Sequence, residues 1–554
     1  MPIARRWKIQ KINKICVLIA CIHWALSFLT DRFIFQYVIW DTSSLKNMVK
    51  TALTYCSKGV FLLLLIAFWH WIFWFVKKAD RRLVRNTLFY FACNMVLLLL
   101  VWPGIFRMDE FGILASATRL LPVFWQSYLT SLFYEFSLML LPFPSGVLIV
   151  QCFLIALIVG SMMTELDRRG LRQGAIRKII SWIPFLLLPV LDSNLYPMRM
   201  SLYAFLELYL LFCIGRKWLD ANANTNANTD ASASALAMAS GFIPLALLGA
   251  VVTVWRTEAI YYFVAFPLLL WVLFYERLGG REKARTLWKW TFLYLGLSLI
   301  LFLPQKVGDK LTSGSQYDLT SVVLPLVPMI EEASDRPDCE DLLAQIDQVV
   351  SVETALEGAE KGKSGISLFW SEPDFIRSDY TQEEYSQFKK AYYQLIFKCP
   401  GSFFRERANT FVSSDDLLEN TTELFSLEGN VNYDTFRGYF LAGPIHEELR
   451  NRVIHVLELR DFSDYGQELI LYRFCYSPVI PVVILMVFFM GAVVRRKWKV
   501  ALFPAIMLIR VPLIFLTAPS RLFMYYYPFY LAGLVCLIWG ILWISRSRKG
   551  VGNE

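Results

Sequence analysis

Residues 86–136 read NTLFYFACNMVLLLLVWPGIFRMDEFGILASATRLLPVFWQSYLTSLFYEF. The run 86–102 carries no charge, and a second apolar run, SGVLIVQCFLIALIVGSMM, follows at 145–163. Uncharged runs of this length are read as membrane-crossing helices. Between them lie a Pro103-Gly104 turn, the adjacent acids Asp109 and Glu110, and the cluster Phe124, Trp125, Gln126, Ser127 and Tyr128. A carboxylate beside a bilayer costs free energy unless it is hydrated or paired. The stretch is therefore read as a shaped loop at a membrane edge.

Working outward, apolar runs recur near 15–30, 59–76, 179–191, 201–215, 238–255, 259–275, 288–304, 475–494, 500–517 and 526–544. With the first two, these predict an all-α polytopic membrane protein with about twelve transmembrane helices. The runs at 179–191 and 201–215 are short, and are expected to be tilted, broken or partly re-entrant around Asp192-Ser193-Asn194. Composition agrees. The 554 residues are 56% hydrophobic and only 18% charged, against about a quarter charged in soluble chains. A membrane β-barrel would show short alternating segments instead. The first run leads into Thr30-Asp31-Arg32 without a small-residue cleavage site, and is read as a retained signal anchor.

The net charge of +9 does not indicate nucleic acid, because the bases cluster between apolar runs. Lys77, Lys78, Arg81, Arg82 and Arg85 form one such group; Arg168, Arg169, Arg172, Arg177 and Lys178 form another. This is the positive-inside pattern. It predicts a plasma-membrane protein with both termini cytoplasmic, and puts loop 104–144 and the turns holding Arg199, Arg256 and Arg521 on the extracytoplasmic side.

Three regions are expected: an N-terminal bundle over 1–304, an acidic extracytoplasmic domain over 305–470, and C-terminal membrane helices over 471–554. The domain should be mixed and mostly helical. Within it, Thr381 and Glu384 form a capping-box pattern. It opens a helix with Tyr385, Phe388, Tyr392 and Ile396 on one face, which ends near Cys399-Pro400-Gly401. The low-complexity segment 219–236, centred on DANANTNANTDASASA, is expected to be a flexible cytoplasmic linker. Asn420-Thr421-Thr422 matches a glycosylation sequon. Cys339 and Cys399 are the cysteines of the polar domain and candidates to pair.

Neighbouring acids point about 100° apart on a helix. One of Asp109 and Glu110 is therefore expected to face a cavity as a general base, while the other pairs with an arginine, Arg107 or Arg119. Asp109 is the favoured base. Arg199, Arg256 and Arg521 stand at helix ends among tyrosines and tryptophans. Their planar guanidinium forks suit a lipid-linked phosphate, although the same residues fit ordinary interfacial anchors. Glu258 is a candidate partner of Arg256. Trp125 and Gln126 are further candidate substrate contacts. No C-x-x-C, H-E-x-x-H, Walker or G-x-S-x-G motif occurs, so no metal and no cofactor is indicated.

The succession WPGIFRMDEF, WQSYLTSLFYEF, WRTEAIYY and PSRLFMYYYPFY resembles the GT-C class of membrane glycosyltransferases, especially bacterial cell-envelope members that use polyprenyl-phosphate sugars. The resemblance implies that Asp109 or Glu110 is the base, with Arg256 or Arg521 on the lipid phosphate. It also implies sugar transfer from a polyprenyl-phosphate donor to a glycan or other envelope acceptor at the extracytoplasmic face. Here the acidic loop follows the third span and the external domain precedes the last three, where many members have it at the C-terminus. Two other classes share the general layout: an O-antigen-type polymerase or ligase, which leans on arginines in external loops, and a lipid-linked glycan transporter or flippase, which predicts inverted repeats.

Overall fold

The computed structural model describes residues 2–36, 43–125, 127–197, 199–226, 242–276, 282–312, 319–412, 435–462, 469–519 and 522–551. Among them regular structure is helical, apart from one isolated bridge between Val350 and Ile376. Arg521, Gln126, the sequon at Asn420 and the linker beyond Asn226 lie outside the described residues.

Nine described helices are long and apolar enough to cross a membrane, or ten if one bent pair counts as a single span. Three of the twelve expected spans are not among these nine. Within the run at 238–255 the described helix is Phe242–Trp255, 14 residues, and 238–241 lie outside the described residues. The runs at 179–191 and 201–215 belong to a broken stretch in which Leu188–Asn194 and Arg199–Ala221 meet at 115°. Pro189 stands in the first turn of the short helix there, and the break is held by buried amides. Asn194 donates to the Tyr90 hydroxyl (3.0 Å) and to Asn94 Oδ1 (2.8 Å), and Gln151 donates to the Tyr196 carbonyl (2.6 Å). Polar groups satisfied in this way let an irregular backbone persist at membrane depth.

Contacts divide the chain into two units, Met1–Gln305 with Asn420–Cys475 and Leu534–Glu554, and Lys306–Glu419 with Tyr476–Gly533. Breaks between the units fall at 305 and 475, and Asn420–Cys475 groups with the N-terminal stretch rather than with the acidic region.

The first unit contains α1 (Pro2–Thr30), α2 (Leu45–Lys78), α3 (Arg81–Leu100), α4 (Met108–Ala117), α5 (Tyr128–Leu140), α6 (Ser145–Arg168), α7 (Ala175–Leu186), α8 (Leu188–Asn194), α9 (Arg199–Asn226), α10 (Phe242–Trp255) and α11 (Tyr262–Phe274). Helix α3 crosses α6 closely where Gly160 meets Thr87, so that a Cβ at 160 would collide with the Thr87 backbone. Asn86 bonds Thr164 across the same seam (3.2 Å). Lys58 on α2 forms a buried ion pair at 2.6 Å with Asp31, in the 3-10 turn just after α1, and Ser27 on α1 completes it at 2.9 Å. Removing either partner would strand a charge out of water.

The second unit contains an apolar core built by Thr320–Ser334, Glu340–Asp347, Val352–Glu360, Gly365–Ser371, Gln382–Lys398 and Pro400–Val412. The expected capping box is present: the Glu384 amide donates to Thr381 Oγ1 (3.2 Å), and the Thr381 amide donates to Glu384 Oε2 (2.6 Å). Tyr385, Phe388 and Tyr392 are buried in the core and Ile396 packs against it. Cys339 and Cys399 are both buried free thiols, and Arg336 lies close enough to feel both.

Candidate functional site

The loop between α3 and α4 is fixed backbone group by backbone group. Trp102–Pro103 is a cis peptide, and Gly104 has φ +107, a region that favours glycine. The Pro103 carbonyl accepts from Ser145 Oγ (2.7 Å), the Gly104 carbonyl from Arg450 (3.1 Å), and the Ile105 amide donates to Leu195 O (3.1 Å). Arg450 is buried and comes from Glu447–Leu457, which we label α12. Trp102 Nε1 donates to Leu441 O at 2.9 Å, and Phe106 and Phe111 pack on Phe436. Segment 436–461 thus packs on the acidic loop.

This anchoring sets the register of α4. Asp109 and Glu110 occupy its first turn and face in different directions. Asp109 is exposed, whereas Glu110 is only 3% exposed. The inward acid is therefore Glu110, in contrast to the expectation for Asp109. The Arg107 amide donates to Glu110 Oε2 at 3.2 Å. Burial pushes the Glu110 carboxyl up to about 7, the Asp109 charge adds to that, and Arg107 opposes it. Such a group exchanges a proton near neutrality, as a general base must.

Arg107 is the residue that sequence reasoning undervalued. Its guanidinium lies 5.1 Å over the Tyr196 ring. Its Nε and Nη2 are buried with no hydrogen-bond partner among the described residues. Buried N–H groups of this kind are costly unless a ligand or water takes them. Behind it, the Tyr196 hydroxyl donates to Glu458 Oε1 (3.2 Å), and Arg460 meets Glu458 Oε2 (2.9 Å). Glu458 is fully buried. Only the position of Arg107, three residues before Glu110, could have signalled its role. The contribution of 458–460 arrives across more than 300 residues and leaves no local trace.

The other candidates distribute as follows. Tyr134, on α5, is buried within electrostatic reach of Glu110 and donates to Pro197 O at 2.6 Å. That bond holds Pro197 against α5. Arg199 follows, with its Nη1 3.4 Å from the Trp125 carbonyl, so these two candidates are brought together. Trp125 is itself exposed. Arg256 is buried and gripped in bidentate fashion by Glu258, with Nε at 2.9 Å from Oε2 and Nη2 on Oε1. The Trp255 indole donates to Thr130 Oγ1 on α5 (2.9 Å), which seats Arg256 beside the same helix. Of the two arginines offered as the partner of the second acid, Arg119 is not paired with an acid among the described residues; its Nε meets Gln36 Oε1 at 3.3 Å. Glu135, also on α5, is buried, and burial pushes its carboxyl up to about 7. Among the described residues no group of three or more His, Cys, Asp or Glu could hold a metal.

No family model, characterised relative or solved structure matches the chain.

Proposed function

We propose that this chain is a membrane glycosyltransferase of the GT-C type, which moves a sugar from a polyprenyl-phosphate donor to a hydroxyl of a cell-envelope glycan at the extracytoplasmic face. The observation that carries the reading is Glu110: a buried carboxyl, titrating near 7, beside a guanidinium with uncommitted N–H groups. The acceptor oxygen attacks the anomeric carbon, its proton passes to Glu110, and the bond from that carbon to the phosphate oxygen breaks. The phosphate leaves with its charge, and Arg107, whose buried Nε and Nη2 have no partner among the described residues, is the donor assigned to receive it. Arg199, near the Trp125 carbonyl, and Arg256, its fork preset by Glu258, are assigned as further contacts of the donor. Positioning and charge stabilisation are the work required, because a polyprenyl phosphate is already a good leaving group.

Sidedness follows from the bases. Counted through the twelve apolar runs of the sequence, the segments 77–85, 164–178 and 495–499 alternate onto one face, which the positive-inside rule makes cytoplasmic. Loop 104–144 and the acidic region 305–470 then fall on the other face, in the plasma membrane.

The test is transfer from a labelled polyprenyl-phosphate sugar by purified protein in lipid nanodiscs. Glu110→Gln should reduce turnover at least about a hundredfold, while Asp109→Asn should retain most of it. Full turnover by Glu110→Gln would end the proposal.

A further inference from the structure

At the end of α3 far from Glu110, a groove of about 630 Å³ opens between the end of α2 and the start of α3. Its walls are Val76, Val84, Leu88 and Phe89, and Arg81 and Arg85 stand at one end. Both arginines are exposed, as are Val76, Leu88 and Phe89. Residues 81 and 85 are one helical turn apart and share a face, which continues into Leu88 and Phe89. From Arg81 to Phe89 the helix rises about 12 Å. The surface therefore runs from two cations at a membrane boundary to bare apolar side chains inside the span Arg81–Leu100.

Charge balance shows what such a groove favours. Between residues 77 and 85 stand five bases, Lys77, Lys78, Arg81, Arg82 and Arg85, and one acid, Asp80. Asp80 already accepts the Arg82 amide (2.9 Å) and meets Arg168 (3.3 Å). The next acids are also engaged, Asp167 with Arg172 (3.0 Å) and Glu165 with Arg169 (2.7 Å). Arg172 lies near enough to Arg85 to add its charge. No ion pair to Arg81 or Arg85 is present among the described residues. The neighbouring α7 reinforces the membrane setting. Trp182 packs on Phe89 at 5.0 Å, and α7 turns Ile176, Ile179, Ile183 and Leu186 outward, the apolar stripe of a helix that lies against lipid.

We infer that this groove binds an anionic phospholipid, its phosphate between Arg81 and Arg85 and one acyl chain along Val84, Leu88 and Phe89. A zwitterionic headgroup would bring a second cation into a region already in excess. The inference needs α3 to cross a membrane and does not depend on the proposed transferase activity.

The experiment is native mass spectrometry of the full chain released from nanodiscs holding phosphatidylglycerol and phosphatidylcholine in equal amounts. Wild type should retain phosphatidylglycerol in preference. Two basic side chains near a surface together favour an anionic lipid about thirtyfold, roughly a factor of five each. Arg81→Ala with Arg85→Ala should abolish the preference, whereas Arg81→Lys with Arg85→Lys should keep most of it. Val84→Trp, which fills the groove and leaves the charges, should also lose the lipid. Equal retention of the two lipids by wild type, unchanged retention in the alanine pair, or preference for added polyprenyl phosphate over phosphatidylglycerol would overturn the inference. Lipid retention is read without turnover, so its failure is separate from failure of the transferase reading.

Discussion

Glu110→Gln separates a catalytic carboxyl from a merely buried one. In the folded chain the Glu110 carboxyl is pushed from 4.5 up to about 7, and each tenfold change in proton affinity is worth about 1.4 kcal/mol. The sign follows from proton counting. Between pH 4.5 and 7 the folded state keeps a proton that the unfolded chain has released, so stability falls as pH rises through that window. Above pH 7 the ionised, buried Glu110 costs about 3 kcal/mol relative to the unfolded reference. Glutamine is neutral throughout and can still accept the Arg107 amide. The variant should therefore match wild type in apparent melting temperature at pH 4, and exceed it increasingly up to pH 8. Over the same range wild-type turnover should rise with pH and level off above 7, since the base acts when deprotonated, and the variant should stay at least about a hundredfold lower. Intrinsic tryptophan fluorescence during heating gives the first curve and labelled-sugar transfer the second. A stability difference that is flat with pH would show that Glu110 ionises like a solvated carboxylate. Unreduced turnover would show that it takes no proton.

Arg107→Ala should raise KM for the lipid donor about ten- to a hundredfold, the value of one charge-assisted contact, and Arg107→Lys should recover only part of it because the planar fork is lost; steady-state kinetics against donor concentration decide this. Gly104→Ala should destabilise by about 2–4 kcal/mol, from its φ of +107 and a Cβ driven into Leu148, seen as a lower melting temperature and reduced yield in detergent. Lys58→Met should cost about 3–5 kcal/mol by leaving Asp31 buried without its cation, and adding Asp31→Asn should restore most of it. Cysteine at Ser116, in an otherwise cysteine-free chain, should be labelled by an impermeant maleimide from outside the cell; labelling only after permeabilisation would invert the proposed sidedness.

What was legible in the sequence is what depends on neighbours along the chain. Uncharged runs marked the spans, and Thr381 with Glu384 marked a helix start that the backbone realises bond for bond. Length was legible as well, since the shortness of 179–191 and 201–215 announced a break. Its 115° angle was not, because Asn94, Gln151 and Asn194 hold it from three different helices. The grouping of Asn420–Cys475 with the N-terminal stretch was hidden for the same reason. Segment 435–461 is polar and follows the acidic region, yet Arg450, Phe436 and Trp102 tie it to the loop before α4. Such ties are set by side-chain shape across hundreds of residues, and no local pattern encodes them.

The acid pair shows how one such tie decides chemistry. On a helix, Asp109 and Glu110 must diverge, so periodicity alone leaves both candidates equal. The choice is made by how α4 is rotated about its axis. That rotation is set upstream, where the Gly104 carbonyl is held by Arg450 and the Ile105 amide by Leu195, and downstream, where the Phe111 ring is wedged against Phe436. Phe111 is buried one position after Glu110 and Asp109 is exposed one position before it, so the inward face of the first turn falls on 110 and 111 together. A single buried carboxyl in that turn, beside a cation of incomplete pairing, can hold or release a proton at neutral pH. Two exposed acids could not, because water would hold both near their ordinary range. The function proposed for this chain therefore depends on a rotation that three distant contacts impose, and disrupting any of them, Arg450→Ala for example, should move activity through Glu110 without touching it.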